Sequence, residues 1–313
     1  MKRLPTLLNY CALSNGTSNL IVGQLANTKR SEFTFQEYSK RKTFWTLLGL
    51  FHSKSVSHVE IVLKFDHGLV KGKTDGTGAF WVTAQATDAP WVLKEISLGD
   101  GRPVVILDHL YARTVNMLES KTIVISDIDD TLLHSNIRNR IHQIRTLMFT
   151  VMEKRRAVEE TQRLMKRLKD DGAETFYLSN SEQNLYPLIY RFLRHNNFPE
   201  GPLFLKQWRT VRDFIIRNRN RNRNAHKLGT LENLMRIFPE RQYILVGDNT
   251  QHDLSIYLQT AHKFPDNIKH VVIRKVYESE SDKDLFGTAK EKLAKLNIQF
   301  HYAGSFDAIN FTS

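Results

Sequence analysis

Ile123-Val124-Ile125-Ser126-Asp127-Ile128-Asp129-Asp130-Thr131 is the stretch whose reading decides the fold. A short β-branched run leads into three carboxylates and a threonine. The run has no polar alternation, so it reads as a strand buried on both faces. The aspartates then stand at its C-terminal end, the edge of an open α/β sheet where ligands bind. Acids gathered there repel one another and add no core packing. Such a cluster is held by a cation, by hydrogen bonds, or by both. Taken alone, the same residues also read as a solvated acidic turn, or as a helix start capped by Asp130 or Thr131.

Outward from this stretch, apolar strands alternate with helical segments. Strands are predicted at 122–126, 175–178, 203–205, 243–246, 270–273 and 298–302. Helices are predicted at 137–149, 154–169, 185–194, 227–237 and 255–263. That alternation argues for an α/β fold with a doubly wound parallel sheet. Toward the N-terminus the pattern is different. Short strand candidates lie at 20–25, 59–65, 69–73, 79–84 and 104–107, with turn signals at Asp66-His67-Gly68 and Asp75-Gly76-Thr77-Gly78. They suggest a small antiparallel β-sandwich. The break near 108–120 divides the chain into an accessory domain, 1–112, and an α/β domain, 113–313.

The chain has 313 residues, enough for two domains, and 41% hydrophobic with 25% charged residues is an ordinary globular balance. No apolar run approaches the ~20 residues that span a bilayer. Asn9 cuts short the apolar stretch after the early basic residues, which argues against a secretory signal. Cys11 is the single cysteine, so neither an intrachain disulfide nor a Cys-based metal site can form. These features lead us to expect a cytoplasmic protein. The formal net charge of +12 favours partners rich in negative charge: nucleic acid, acidic lipid headgroups or phosphorylated substrates.

Two segments admit two readings each. Lys40 to Phe51 sets basic residues around a short apolar block with Trp45. It reads as a helix packed on the protein, or as an interfacial helix that dips into an anionic membrane. The strict Arg-Asn repeat from Arg217 to Asn224 has no apolar content and reads as an exposed loop. It is either a solvated insertion or a contact for phosphate-rich partners, since guanidinium groups bind phosphate bidentately.

Three further strand ends carry chemistry. The strand at 175–178 runs into Ser179-Asn180-Ser181, where a hydroxyl and freed backbone N–H groups at a helix start suit phosphate, or simply cap the helix. Lys227 opens a helix after the Arg-Asn loop. The strand at 243–246 runs into Gly247-Asp248-Asn249-Thr250-Gln251-His252-Asp253. Carboxylates from two separate strands can close an oxygen-ligand site for Mg²⁺, which binds through one or two carboxylates and keeps several waters.

The order DxDxT, serine, lysine, GDxxxxD, each after an apolar strand, resembles the four motifs of the haloacid dehalogenase superfamily. From about 120 to 276, the stretches 126–131, 177–186, 201–205 and 247–253 are similar to the catalytic domain of the phosphatidate phosphatase family of actin-patch proteins. His226-Lys227 and Ile273-Arg274 fit as well. The small β region before it is similar, more loosely, to the N-terminal region of bacterial members.

The resemblance implies a haloacid dehalogenase-like fold and a Mg²⁺-dependent phosphomonoester hydrolase. Asp127 would be the nucleophile, ionised at neutral pH without a base. Asp129 would protonate the leaving alkoxide, then activate water, and its backbone carbonyl would be a metal ligand. Asp248 would complete the metal site with Asp253 in support, and Ser179, Asn180 and Lys227 would hold the phosphoryl group. Asp130 is read as support or a helix cap. No chemistry is assigned to His134, His226 or His252. The Arg-Asn repeat is not a family feature. The segment after Thr131, where the superfamily often inserts a cap, is short and helical, so the site stays open to large or membrane-borne substrates. Phosphatidate in a membrane surface, with peripheral contact to anionic lipid, is the expected partner. Nucleic-acid ends or phosphoproteins as substrates, and a non-catalytic lipid-binding module, are the alternatives.

Overall fold

The computed structural model describes residues 3–29, 49, 53–87, 91–128, 158–206, 225–249, 253–276 and 280–311. The predicted helix at 137–149, the Arg-Asn repeat, and the segment from Lys40 to Phe51 apart from Gly49 lie outside these residues.

Strands β1 (Leu4–Ser14) and β2 (Ser18–Thr28) form a long antiparallel ribbon. Gly16 takes φ +89° in the connecting turn, and Asn15 Oδ1 accepts hydrogen bonds from the Thr17 and Ser18 amides. β3 (Lys54–Ser55), β4 (Glu60–Phe65), β5 (Gly68–Lys73), β6 (Ala79–Gln85) and β7 (Leu93–Leu98) follow. β3 and β6 pair with the free edge of β2, and β8 (Asn116–Met117) adds in parallel to β1. β5, β4 and β7 make a second antiparallel sheet. Leu7, Ile21 and Leu25 from the first sheet share one core with Ile61, Leu63 and Ile96 from the second. The expected antiparallel strands are therefore present.

Two details differ from expectation. The 104–107 candidate is not a strand: Val105 alone bridges to Thr6, with its amide on Pro5 O and its carbonyl on the Leu7 amide, both at 2.9 Å. Leu4–Ser14, to which no element was assigned, is the buried strand β1.

From β9 (Thr122–Ser126) onward the chain alternates. Helix α1 (Glu159–Asp170) leads to β10 (Glu174–Glu182), α2 (Tyr186–His195) to β11 (Leu203–Lys206), and α3 (Ala225–Ile237) to β12 (Gln242–Asp248). Helix α4 (Asp253–Lys263), β13 (Ile268–Arg274), α5 (Glu280–Ala294) and β14 (Gln299–Ala303) complete the chain. The six strands form one parallel sheet in the order β11-β10-β9-β12-β13-β14. Helix α5 was not foreseen.

The alternation of side chains along β9 explains how both sheet faces are covered. Ile123 and Ile125 pack with Leu231 and Leu234 of α3, Ile256 of α4 and Leu293 of α5. Val124, pointing the other way, packs with Leu164, Met165 and Leu168 of α1 and Ile189 and Phe192 of α2. Each such buried side chain contributes roughly 1.5–3 kcal/mol of transfer free energy. Acidic Glu159 and Glu160 open α1 and basic Arg167 and Lys169 close it, matching the helix dipole. Gly201 allows the chain to cross close to β10: a Cβ there would sit 1.8 Å from Thr175 O.

The antiparallel and parallel parts pack on each other. Leu13 and Leu20 share a core with Ile123, Phe176 and Phe204. The Trp81 and Phe204 rings lie 5.9 Å apart, and Arg241 donates to Ser120 O and Leu118 O. No helix among the described residues is long and apolar enough to cross a membrane.

The chain leaves β9 on one side to form β10 and β11, then returns to its other side for β12. Chains that reverse in this way leave a crevice at the C-terminal strand ends. Asp127 and Asp248 stand at that crevice, on the ends of β9 and β12.

Candidate active site

Asp127 follows the last residue of β9. Its amide donates to Val246 O at 2.9 Å, which fixes it against β12. Asp248 ends β12, and Asp253 opens α4 four residues beyond Asn249. All three carboxylates are buried, and a ligand oxygen of each lies within 4.8 Å of the others. Separate strand ends thus bring together the acids that spacing alone had paired.

Lys227, on the first turn of α3, reaches into this group. Its Nζ lies 2.8 Å from Asp127 Oδ1 and donates to Asp253 Oδ1 at 2.6 Å, with all three side chains 1% exposed. Burial works to lower the Lys227 pKa. The Asp127 and Asp253 carboxylates overcome it, so the group is held above its ordinary value. The amine therefore stays an ammonium.

Ser179 is buried on β10, and its Oγ accepts the Ser181 amide at 2.8 Å. It lies two residues past Tyr177, which pairs with Ser126, and so stands level with the strand ends. The expected helix start at 179–181 is corrected: β10 continues to Glu182, a 3₁₀ turn at Gln183–Leu185 follows, and α2 begins only at Tyr186. Ser179 and Asn180 are strand residues: Ser179 pairs with Leu205 of β11, and Asn180 lies in the irregularity that follows, before Glu182 pairs with Lys206. The Asn180 Oδ1 is buried with no hydrogen-bond partner among the described residues. Asp129 lies outside the described residues, as do Asp130, Thr131, Thr250, Gln251 and His252.

Three contributors were not foreseen. Gly247 leaves room for Asp253: a Cβ there would sit 2.7 Å from Asp253 Oδ2 and 2.8 Å from its Cβ. The glycine directly before Asp248 was the available signal. Tyr257, one helical turn beyond Asp253, donates to Val246 O at 2.9 Å. Burial, then Asp253, Asp127 and Asp248, hold its pKa well above the phenolic range, so it remains a donor. Asn249 ties the end of β12 to its neighbours, through Val276 N to Oδ1 at 2.8 Å and Nδ2 to Tyr302 Oη at 3.2 Å.

The donor set suits a hard cation. It consists of carboxylate oxygens, converging from two strands and a helix start, in a dry crevice. The ammonium meets one oxygen each of Asp127 and Asp253, and Asp248 completes the group whose oxygens converge. A buried ammonium beside them is placed to meet an anionic group.

Fold and site together define an α/β protein with a buried carboxylate–lysine cluster at the crevice of a parallel sheet. Residues 122–275 match the family model described as the phosphatidate phosphatase APP1 catalytic domain, and this part of the chain is similar to that family. The chain is 33% identical to phosphatidate phosphatase APP1 of Saccharomyces cerevisiae over 160 residues, covering 51% of this chain and 27% of that protein. It is 26% identical to an uncharacterized protein of Schizosaccharomyces pombe over 189 residues, 60% of this chain and 30% of that one. The matches thus span less than a third of the length of these curated relatives. Among solved structures, the Pnkp1/Rnl/Hen1 complex contains a chain aligned with TM-score 0.34 and 19% identity, covering 46% of this chain and 42% of that one. That likeness is too slight to bear on fold or function.

Proposed function

We propose that this chain is a Mg²⁺-dependent phosphomonoesterase of haloacid dehalogenase type, working through an aspartyl phosphate, with phosphatidate as its substrate. The observation that carries the reading is the contact of the Lys227 ammonium with both Asp127 and Asp253 beside Asp248, within the stretch that matches the phosphatidate phosphatase family model. The strand order, reversing at β9, suits the doubly wound sheet this reading needs.

In this mechanism an Asp127 carboxylate oxygen forms a bond to phosphorus as the bond from phosphorus to the alcohol oxygen breaks. Asp129 gives the departing alkoxide its proton. It then takes a proton from the water that attacks the aspartyl phosphate and frees inorganic phosphate. Asp127 needs no base, because a carboxylate is already ionised at neutral pH. Lys227 and Ser179 oppose the charge on the phosphoryl oxygens, where fixed donors in a dry site act most strongly. Asp253 holds Lys227 in place. A divalent ion held by Asp127, Asp248 and the Asp129 carbonyl would offset the repulsion between nucleophile and phosphate.

The reading divides the chain into an accessory domain at 1–112 and the catalytic domain at 113–313. It places the protein in the cytoplasm, at the surface of membranes whose anionic headgroups the +12 charge favours.

The test is phosphate release from phosphatidate vesicles, set against sugar phosphates, a phosphopeptide and a phosphorylated oligonucleotide, with Mg²⁺ and with chelator. Release from phosphatidate should dominate, vanish with chelator and vanish in Asp127→Asn. Full activity in Asp127→Asn sinks the nucleophile. Faster release from the oligonucleotide or peptide moves the substrate to that class.

A further inference from the structure

A cleft of about 1320 Å³ lies where the antiparallel sheets meet the β11 edge of the parallel sheet. It is larger than the ~300–1,000 Å³ of ordinary small-molecule sites. Tyr10, Trp81, Tyr186 and Phe204 give its walls an aromatic stretch, with charged side chains such as Lys73, Glu119 and Arg194 elsewhere on its lining, and it runs along one face of α3 past His226, Gly229 and Asn233. Those positions follow the helical spacing of three to four, so one stripe of α3 forms a wall.

The cleft runs along elements that also carry or flank the catalytic cluster, while the cluster's own side chains do not line it. His226 lines it, and the next residue is Lys227. Leu205 lines it too, paired in register with Ser179.

Two polar atoms set this wall apart. Tyr10 Oη and His226 Nε2 are both buried and have no hydrogen-bond partner among the described residues. Leaving such a group unsatisfied costs ~1–3 kcal/mol, and buried orphans call for an explanation in a ligand or a function. The His226 ring is hydrogen-bonded to the main chain of Phe204 and Ser179. Burial, then Lys206 and Lys227, push its pKa down to about 4, so it is a neutral imidazole near pH 7. It adds no charge for phosphate. Tyr10 is likewise an uncharged donor, its pKa raised by burial and then by Cys11 and Tyr111. The aromatic stretch of the cleft, with two neutral hydrogen-bonding tips, fits a chain that carries ester groups.

We propose that this cleft takes the acyl chains of the phosphomonoester whose phosphate sits at Asp127 and Lys227, with Tyr10 Oη donating to an ester carbonyl and His226 Nε2 accepting from a hydroxyl or a bound water. The cleft sets chain-length preference. The proposal deepens the phosphatase reading and rests on it for the headgroup, while the cleft itself can be probed without turnover.

The experiment uses the full chain and lipids kept below their aggregation concentrations. Turnover is compared across glycerol phosphate, dibutanoyl glycerol phosphate and dihexanoyl glycerol phosphate. Burial of ~0.8 kcal/mol per CH₂ gives about a fourfold rise in kcat/KM for each methylene that enters the cleft. Gly229→Phe is the blocking variant, because a Cβ at Gly229 meets nothing within 4 Å. It should cut the ratio of dihexanoyl to glycerol phosphate turnover at least tenfold. Tyr10→Phe is the second variant. It removes an orphan hydroxyl, so it should raise the melting temperature while lowering the same ratio. A merely structural Tyr10 would leave the ratio alone.

Binding of decylphosphonate, with methylphosphonate as the headgroup control, separates the two claims. Tight decylphosphonate binding that Gly229→Phe abolishes, without phosphate release from any substrate, supports the cleft and sinks the phosphatase reading. Equal kcat/KM along the ester series, or a ratio and a decylphosphonate affinity untouched by Gly229→Phe, overturns the cleft whatever the enzyme hydrolyses.

Discussion

The Lys227 ammonium donates to the Asp253 carboxylate at 2.6 Å, with both side chains 1% exposed. The two residues open different helices, α3 and α4, that follow different strands. Their contact fixes where the ammonium meets Asp127. Asp253 gains from its place at a helix start, where backbone amides favour negative charge. A buried ion pair of this kind need not stabilise the fold in total, but losing one partner leaves the other stranded.

Asp253→Asn keeps the shape of the side chain and removes its charge. The expected loss in unfolding free energy is about 3–5 kcal/mol, the scale for breaking a buried pair. Lys227→Met strands two carboxylates and should cost at least as much. Urea denaturation of both variants and the double mutant measures this. The double mutant should be less destabilised than the sum of the singles. Additive effects would mean the two residues are not coupled.

Gly247→Ala acts on the same contact from behind. Its new methyl would lie 2.7 Å from Asp253 Oδ2, so Asp253 must shift and its contact with Lys227 is disturbed. Overpacking here should cost about 1–3 kcal/mol. Phosphate release should fall further than the loss of folded protein explains. A variant with wild-type melting and wild-type turnover would show that Asp253 has slack.

Much of this was legible because β9, β12 and β13 each hold a short apolar run, 123–125, 243–246 and 271–273, rich in β-branched residues. The 122–126 strand was placed to the residue. β1 was missed because its mixed polar and apolar residues do not alternate, although nearly all are buried between sheet partners and core. Val104-Val105-Ile106-Leu107 has strand composition but finds only a single bridge, Val105 to Thr6, so propensity lost to tertiary context. The Asp127–Asp248 proximity followed from strand ends alone. Lys227 bridging Asp127 and Asp253 did not, because a lysine at a helix start is ordinarily solvent-facing. Tyr257 carried no motif, and His226 fitted the resemblance without a chemical role; only the packing gives their atoms partners or leaves them without.

Acid should loosen the edge of the parallel sheet. His270 on β13 lies 3.1 Å, ring nitrogen to ring nitrogen, from His301 on β14, and both rings meet Phe311 edge-on. Burial, then His301, lowers the His270 pKa from 6.5 to about 4. A hydrogen bond to the Phe311 main chain opposes this, and nearby Lys269 adds to it. Burial lowers the His301 pKa as well. The unfolded chain therefore binds more protons between these values than the folded one. The stability from a neutral His270 is complete above about pH 6.5 and is lost as pH falls toward 4. His270→Leu removes this titration. The stability difference between wild type and variant should change through that window and be flat above it. A difference independent of pH would show that His270 titrates alike in both states.

Asp248 is the carboxylate whose role separates an ion site from a purely structural cluster. A ligand that binds only the folded state stabilises it by RT ln(1 + [L]/Kd), ~2.7 kcal/mol at a hundredfold excess over Kd. Added Mg²⁺ should therefore raise the melting temperature of the wild-type chain without any substrate. Asp248→Asn should abolish the rise, since the amide offers one neutral oxygen in place of a charged pair. Asp253→Asn should retain part of it, because in the proposed site Asp253 supports the ligands and does not complete them. If Asp248→Asn responds to Mg²⁺ as the wild type does, the ion binds elsewhere. If Asp253→Asn alone loses the response, the division of labour between the two carboxylates is the reverse of the one proposed.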